Sequence, residues 1–277
     1  MTNAIKLVTL LDVLLICLLT LSAYFGGWLG EALYYVAFLV PIIVGFYCSE
    51  YFKRKREEVA GVAEEPDELF SFSFGKAKTL LPLIAPTVAI VFTASLLTSL
   101  FLSLFGISSA PVENRNLLTM LVAHALAPAI MEELLFRYIP LKILMPYSKR
   151  GCIFYSALCF SLIHCSFSQL PYAFIAGVVF MMIDVALGSV WPSIILHFIN
   201  NASSVVLMKY GSSAVGTGIL LGVLAALVIV SVVCIVLKKK EYGELMRGAF
   251  DKGEAFVYTP ALLALVMLCG YLAVTNL

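Results

Sequence analysis

The sequence predicts an all-α, polytopic transmembrane bundle with about eight or nine spans. Hydrophobic residues make up 62% of the 277 residues and charged residues only 13%, whereas soluble domains are about half apolar and about one quarter charged. The mean hydropathy of +1.01 is typical of a chain whose solvent is lipid. The net charge of +1 gives no indication of nucleic-acid binding.

Apolar segments of the length that crosses a bilayer, about 20 residues each, recur along the chain. They lie at roughly 5–25, 31–49, 79–106, 117–137, 152–167, 170–189, 191–208, 214–237 and 256–275. We therefore divide the chain into a two-span N-terminal region (1–49), a polar segment (50–78), a core of helices (79–210) and two C-terminal spans (211–277). The first segment has no small-residue cleavage site, so we interpret it as a retained span rather than a signal peptide.

Lysine and arginine concentrate on one side of the predicted bundle. If the N-terminus is cytoplasmic, the basic clusters at 53–56, 76–78, 142–150 and 238–240 are all cytoplasmic, and of the 18 basic residues only Arg115 and Lys209 fall outside. Because basic residues favour the cytoplasmic side, we expect a cytoplasmic N-terminus, a cytoplasmic polar loop over 50–78 and an external C-terminus. The loop is either plainly solvated or lies with its basic half against anionic lipid.

The informative residues are the few polar ones within predicted spans. An ionisable residue at membrane depth costs at least ~2.5 kcal/mol on insertion scales, and is by default a functional candidate. The polar residues within the predicted spans are Asp12, His124, Glu132, Glu133, Arg137, His164, Asp184, His197, Asn200 and Asn201. We interpret His124 as a core histidine or an additional site residue. Asp184 is either an interhelical hydrogen-bonding group or a loop-side residue near Gly188, and we favour a structural role.

Helical spacing separates the two adjacent glutamates. Glu133 and Arg137 are four residues apart and share a helix face, so they can form an ion pair. Glu132 is turned about 100° away from Glu133 and can point into the bundle. We therefore expect Glu133 to be structural and Glu132 to be available as a general base.

Two further spans contribute side chains of the type that acyl hydrolysis requires. His197 and Asn201 are also four residues apart, although Asn200 is an alternative by spacing alone, and His164 ends the segment Phe160–His164. A carboxylate can deprotonate water, and imidazole or carboxamide N–H groups can stabilise an oxyanion. Serines occur, but none lies in a G-x-S-x-G setting, so the sequence predicts no covalent nucleophile.

Three segments resemble the signature blocks of a known family. "EELLFR" (132–137), "FSLIH" (160–164) and "GSVWPSIILHFINN" (188–201) are similar to the EExxxR, FxxxH and HxxxN blocks of the CAAX prenyl endopeptidase and bacteriocin-processing family. This family is also called the Abi or CPBP intramembrane proteases. The blocks occur in the family's order, and the resemblance covers about residues 117–208.

The resemblance implies a role for each matching residue. Glu132 would activate water, His164, His197 and Asn201 would support the transition state, and Glu133 and Arg137 would support the site. No cofactor is expected, because an amide partner suits oxyanion binding better than zinc. A zinc site of Glu132, His164 and His197 is the alternative, since two histidines and a glutamate leave an open fourth position.

The sequence therefore predicts an intramembrane endopeptidase that uses a glutamate-activated water. Its substrate would be a peptide or lipidated protein at the cytoplasmic leaflet, such as a CAAX tail, a leader peptide or a membrane helix. We expect a conical cavity open to the cytoplasm with the site below its mouth. The alternatives are a zinc-dependent version of this protease or a non-enzymatic immunity or scaffold protein; a transporter is disfavoured because no paired, broken spans are evident.

Overall fold

The computed structural model describes residues 2–25, 27–61, 68–71, 73–104, 116–210, 214–249 and 260–275. Within these ranges the regular structure is entirely helical, as the sequence predicts for an all-α bundle. The helices are α1 (Thr2–Phe25), α2 (Gly27–Ala60), α3 (Phe74–Ser103), α4 (Leu117–Ile143), α5 (Lys149–Leu162), α6 (Leu170–Leu187), α7 (Trp191–Tyr210), α8 (Ala214–Leu237), α9 (Lys239–Ala249) and α10 (Pro260–Thr275). The expectation for Arg115 lies outside the described residues.

Five of the described helices are long and apolar enough to cross a membrane: α1, α2, α3, α4 and α6. The apolar parts of α8 and α10 are shorter, and α5 has 14 residues, which at 1.5 Å per residue is less than the ~30 Å of a hydrocarbon core. The structure thus supports an integral membrane bundle. The count of eight or nine spans stays a prediction.

Two boundaries differ from the prediction. The polar segment 50–78 is not a loop throughout, because α2 continues to Ala60 and α3 already begins at Phe74; the lysines, arginines and glutamates after Glu50 are good helix formers and extend α2 beyond its apolar part. The predicted fifth span ends early, at Leu162. His164 therefore follows the helix, next to Cys165 with its φ of 44°, which a helix cannot contain.

Helix α4 contains two π-helical turns, Val122–Leu126 and Leu134–Tyr138, on either side of an α-helical segment that holds both glutamates. Such turns widen the helix locally and are frequent at functional sites. Helix α4 packs along α7, α5 packs on α6, and α1 packs on α2 and α10. Helix α4 also contacts α2 and α5, so it is packed between α2, α5 and α7.

The α5–α6 contact depends on a glycine. A Cβ atom on Gly177 would lie 2.8 Å from Cα and 3.0 Å from Cβ of Ala157. The two helices therefore approach to backbone contact, as small residues permit in membrane bundles. This contact fixes α5, which carries Phe160, against α6.

Candidate active site

The two adjacent glutamates of α4 lie in different surroundings. Glu133 is completely buried, whereas Glu132 is 8% exposed and lines a cavity. The rotation of about 100° between consecutive helical residues accounts for this difference. The pair thus divides into one carboxylate within the protein and one at a cavity wall.

Glu133 lies between two cationic or donor groups. Its Oε2 is 3.2 Å from Nε of Arg137, and both side chains are fully buried, so the ion pair expected from their spacing is present. Its Oε1 accepts a hydrogen bond of 2.6 Å from Nδ1 of His197. Glu133 therefore links α4 to α7, and its carboxylate is committed to holding neighbouring side chains.

The guanidinium of Arg137 stacks on an aromatic ring. Its central carbon is 4.3 Å from the ring centroid of Phe160 and 5.9 Å from that of Phe180. Cation–π attraction of this kind is strongest away from water. Arg137 therefore joins the EExxxR segment of α4 to the FxxxH segment of α5.

Phe160 also orients both histidines of the site. Its ring meets His164 edge-on with centroids 5.2 Å apart, and meets His197 edge-on at 5.7 Å. Its backbone oxygen accepts a hydrogen bond of 2.8 Å from Nδ1 of His164. The first residue of the FxxxH block is thus a packing platform for the site.

The hydrogen bonds determine what each imidazole presents to the cavity. In both histidines Nδ1 faces an oxygen that only accepts, so Nδ1 carries the proton and Nε2 of the neutral ring has a free lone pair. Nε2 of His197 lies 3.8 Å from Oε2 of Glu132, which is too long for a hydrogen bond but within the reach of a bridging water. Either histidine can donate a proton from Nε2 only as an imidazolium.

A cavity of about 920 Å³ unites most of the residues singled out in the sequence. Those at its wall are Glu132, His164, His197, Asn200, Asn201 and His124. Glu133 and Arg137 do not line it. The cavity is within the size range of small-molecule and peptide pockets.

The two asparagines are coupled. Nδ2 of Asn200 donates to Oδ1 of Asn201 over 3.3 Å, which leaves the N–H₂ group of Asn201 for other partners. Both side chains line the cavity. Asn201 can therefore offer a neutral N–H donor to a group bound there.

Helix α7 is held in place at its first turn by Asp184. Oδ1 of this fully buried residue accepts a hydrogen bond of 3.0 Å from the backbone N–H of Ser193. A carboxylate at a helix N-terminus satisfies a free N–H group and the helix dipole. The interpretation of Asp184 as an interhelical hydrogen-bonding group is confirmed.

Several cavity residues were not singled out in the sequence. Tyr34 and Glu31 come from α2, Tyr172 and Phe180 come from α6, and all four line the cavity. Aromatic residues in apolar helices carry no signal that distinguishes a cavity wall from core or lipid contacts. Glu31 does carry such a signal, because it is a carboxylate at the predicted edge of a span.

Glu132, His164 and His197 share the cavity but are not arranged as a metal site. Within the described ranges, no three His, Cys, Asp or Glu side chains are grouped closely enough to hold a metal ion. The positions of these three side chains therefore do not fit the zinc alternative.

The cavity lies toward one end of the bundle. Its lining residues on α4 lie between Ala123 and Glu132, and those on α7 lie between His197 and Met208. The basic residues of α2 and α5 are at the opposite ends of their helices, at 53–56 and 149–150. The cavity and these basic residues therefore lie toward opposite ends of the bundle.

Part of the chain matches a known protein family. Residues 114–203, about a third of the chain, match the family model described as Type II CAAX prenyl endopeptidase Rce1-like. This range contains the EExxxR, FxxxH and HxxxN segments. Neither a curated protein nor a solved structure matches the chain.

Proposed function

We propose that this membrane protein is an intramembrane endopeptidase that cleaves peptide bonds with a glutamate-activated water. The match of residues 114–203 to the family model of the Type II CAAX prenyl endopeptidases supports this proposal. One observation carries the proposal. Glu132 lies at the cavity wall, 3.8 Å from Nε2 of His197, while Glu133 is fixed behind it.

The first step is deprotonation of water. A water bound between Glu132 and His197 gives one proton to the Glu132 carboxylate, and its oxygen attacks the carbon of the scissile carbonyl. As the C–O bond forms, the carbonyl π electrons move to the carbonyl oxygen. His197 holds the water through the lone pair of Nε2, because Glu133 fixes the proton on Nδ1.

The tetrahedral intermediate requires a donor for its oxyanion. The carboxamide of Asn201 supplies a neutral N–H group in the cavity. The neutral histidines present lone pairs, so His197 fits the role of a water acceptor better than that of the oxyanion donor expected from the sequence. His164 lines the same cavity and acts as a donor only when protonated.

Collapse of the intermediate completes the reaction. The C–N bond breaks, Glu132 returns its proton to the leaving nitrogen, and the oxyanion electrons reform the carbonyl. The products are a new amine and a new carboxylic acid, which ionises to a carboxylate by losing its proton to water. The reaction consumes one water and leaves Glu132 ionised, so no covalent intermediate is needed.

The family match and the membrane location support one substrate class. It is a membrane-associated or lipidated peptide or protein, of the CAAX-tail or leader-peptide type. The N-terminus is cytoplasmic in this proposal, on the basis of the distribution of lysine and arginine.

The test compares new protein N-termini in membranes of cells that produce the full chain with those in cells that produce Glu132→Gln. A protease generates termini that the variant does not. Glu31→Gln is the matched control, since Glu31 lines the same cavity but has no role in the proposed chemistry, and it should retain the termini. Identical termini in the Glu132→Gln and wild-type membranes would instead favour a non-enzymatic immunity or scaffold protein.

A further inference from the structure

We propose that the segment Leu69–Ser71 and the side chain of Trp191 position His197 for catalysis, by fixing the start of α7 against α4. The segment lies between α2 and α3, outside residues 114–203 that match the family model. A part of the chain beyond the matched range thus contributes to the geometry of the site. The effect on cleavage rests on the proposed endopeptidase function, whereas the contacts that carry the inference do not depend on it.

The backbone of this segment is fastened to the start of α7. Its three consecutive carbonyl oxygens accept hydrogen bonds from the turn before α7 and from the first residue of that helix. The bonds run from the N–H of Val190 to Leu69 at 2.9 Å, from Nε1 of Trp191 to Phe70 at 2.8 Å and from Oγ of Ser189 to Ser71 at 2.8 Å. Because hydrogen bonds are directional, this set holds α7 at its first residue.

Lys76, in the first turn of α3, binds both the segment and the turn. Its Nζ donates to Oγ of Ser71 over 2.6 Å and to the backbone oxygen of Gly188 over 3.1 Å. Gly188 ends α6 in the left-handed conformation, with a φ of 58°. The ammonium group therefore bridges the segment and the turn before α7, in addition to the direct hydrogen bonds.

The other side of the segment contacts α4. The ring of Phe70 stacks on the ring of Tyr138, with centroids 4.7 Å apart. Tyr138 directly follows Arg137, whose guanidinium pairs with the buried carboxylate of Glu133. The segment therefore contacts α4 immediately beside the ion pair that supports the site.

These two contacts close a ring of interactions through the site. One path follows α7 from Trp191 to His197, and the other follows α4 from Tyr138 to Glu133. The two paths meet in the hydrogen bond of 2.6 Å between Nδ1 of His197 and Oε1 of Glu133. Apolar surfaces in lipid give little preference for one register of two helices, so hydrogen bonds and close packing set it. The segment therefore helps to set where His197 stands relative to Glu133.

The tautomer of His197 depends on this placement. Its Nδ1 keeps the proton because Glu133 accepts from it, and a shift of α7 by about 1 Å would lengthen the 2.6 Å contact beyond a normal hydrogen bond. The neutral ring could then carry its proton on Nε2, which removes the lone pair that holds the catalytic water. Loosening the segment should therefore slow the chemical step and leave substrate binding unchanged.

Nuclear magnetic resonance of the histidine rings tests the inference directly. The chain has only three histidines, so selective isotopic labelling of histidine nitrogens reports each ring in the full chain in detergent. At mildly alkaline pH the nitrogen shifts distinguish a proton on Nδ1 from one on Nε2, and the His197 signals are those lost in His197→Gln. We expect Nδ1–H in the wild type and a second, Nε2–H population in Trp191→Phe, which keeps an aromatic ring but loses the donor.

Trp28→Phe is the matched control, because Trp28 is the other of the two tryptophans and is 80% exposed at the start of α2. It should change neither the His197 tautomer nor cleavage. Phe70→Leu removes the stacked ring without altering the backbone bonds, and should produce the same second population as Trp191→Phe. The signals of His164 are an internal reference for folding, since its Nδ1 bonds to a backbone oxygen four residues earlier.

Cleavage kinetics give the second readout. Trp191→Phe and Phe70→Leu should lower kcat by up to ~100-fold, the cost of misplacing a catalytic group by about 1 Å, at an unchanged KM. A wild-type His197 tautomer in both variants, or a raised KM at unchanged kcat, would overturn the inference. A chain that cleaves no protein but whose His197 tautomer responds to both variants would refute the proposed function and retain the positioning.

Discussion

Nδ1 of His197 lies 2.6 Å from Oε1 of Glu133, and through this hydrogen bond the glutamate that does not face the cavity positions the histidine that does. The arrangement is that of a carboxylate which fixes the tautomer of a catalytic imidazole. The second oxygen of Glu133 meets Arg137. The site therefore depends on a buried chain of three side chains from two helices.

The two glutamates should respond differently to substitution. Glu132→Gln removes the proton acceptor, and we expect at least a ~100-fold loss of cleavage because general-base catalysis contributes ~10²–10⁴, with unchanged thermal unfolding in detergent. Glu133→Gln should lower both activity and the unfolding temperature, because Arg137 loses its buried counter-charge. Equal loss of stability in both variants would contradict this division.

Arg137→Met should destabilise the protein. It leaves the fully buried Glu133 without its cation, and breaking a buried pair from one side costs about 3–5 kcal/mol. Lys142→Met is the matched control, because the partner of Lys142, Glu50, is 52% exposed and can be hydrated. Thermal unfolding of the two detergent-solubilised variants should show a much larger decrease for Arg137→Met; similar decreases would refute the buried-pair argument.

Asn201→Ala should be nearly inactive while remaining folded. Loss of one oxyanion donor typically lowers the rate ~10²–10³-fold. Asn200→Ala removes only the 3.3 Å contact that orients Asn201, so a smaller loss is expected. The rates of both variants are measured by single-turnover cleavage of a substrate identified by N-terminal mapping. A larger loss of rate in Asn200→Ala than in Asn201→Ala would show that Asn200 is the oxyanion donor instead.

Cleavage should survive treatment with a strong chelator. The proposed chemistry uses Glu132, His197 and Asn201 and needs no ion. The zinc alternative predicts about one zinc per chain by elemental analysis, loss of that zinc when His164 or His197 is replaced, and chelator-sensitive activity restored by added zinc. That combination of results would establish the zinc mechanism instead.

Gly177→Ala should weaken the packing of α5 on α6. The added methyl group would meet the backbone of Ala157 at 2.8 Å, and overpacking of this kind costs about 1–3 kcal/mol. Gly222→Ala is the control, because a Cβ atom there has no described neighbour within 4 Å. The unfolding temperature should decrease only for Gly177→Ala, and Ala157→Gly in the same chain should restore part of the loss.

Sequence spacing alone predicted that Glu133, and not Glu132, pairs with Arg137. The prediction was possible because contacts between residues four apart on one helix depend only on local helix geometry. The contact of Glu133 with His197 could not be predicted in this way, since it joins residues 64 positions apart and depends on how α7 packs against α4. The position of His164 just beyond its helix was also missed, because the apolar pattern continues past the point where the backbone turns at Cys165.

The position of the cavity within the bundle could not be predicted from the sequence either. Lysine and arginine indicate which helix ends share a side, and the motifs indicate which side chains meet, but neither shows where space remains between helices. That depends on the bulk and packing of individual side chains. Phe70 and Tyr138 stack on each other at one end of the bundle, whereas Gly27 and Gly30, which have no bulky side chain, line the cavity toward the other.

The two π-helical turns of α4 make the number of residues in this helix as important as their identity. Each such turn accommodates one residue more than an α-helical turn. A one-residue deletion within Leu134–Tyr138 that restored α-helical geometry would therefore leave the residues after it facing as they do now. A one-residue deletion in the α-helical segment Ala127–Glu133 would instead rotate everything after it by about 100°. Lys142 would then leave Glu50 and Tyr138 would leave Phe46 and Phe70, so the π-helical turn should tolerate the loss of one residue better than the α-helical segment before it.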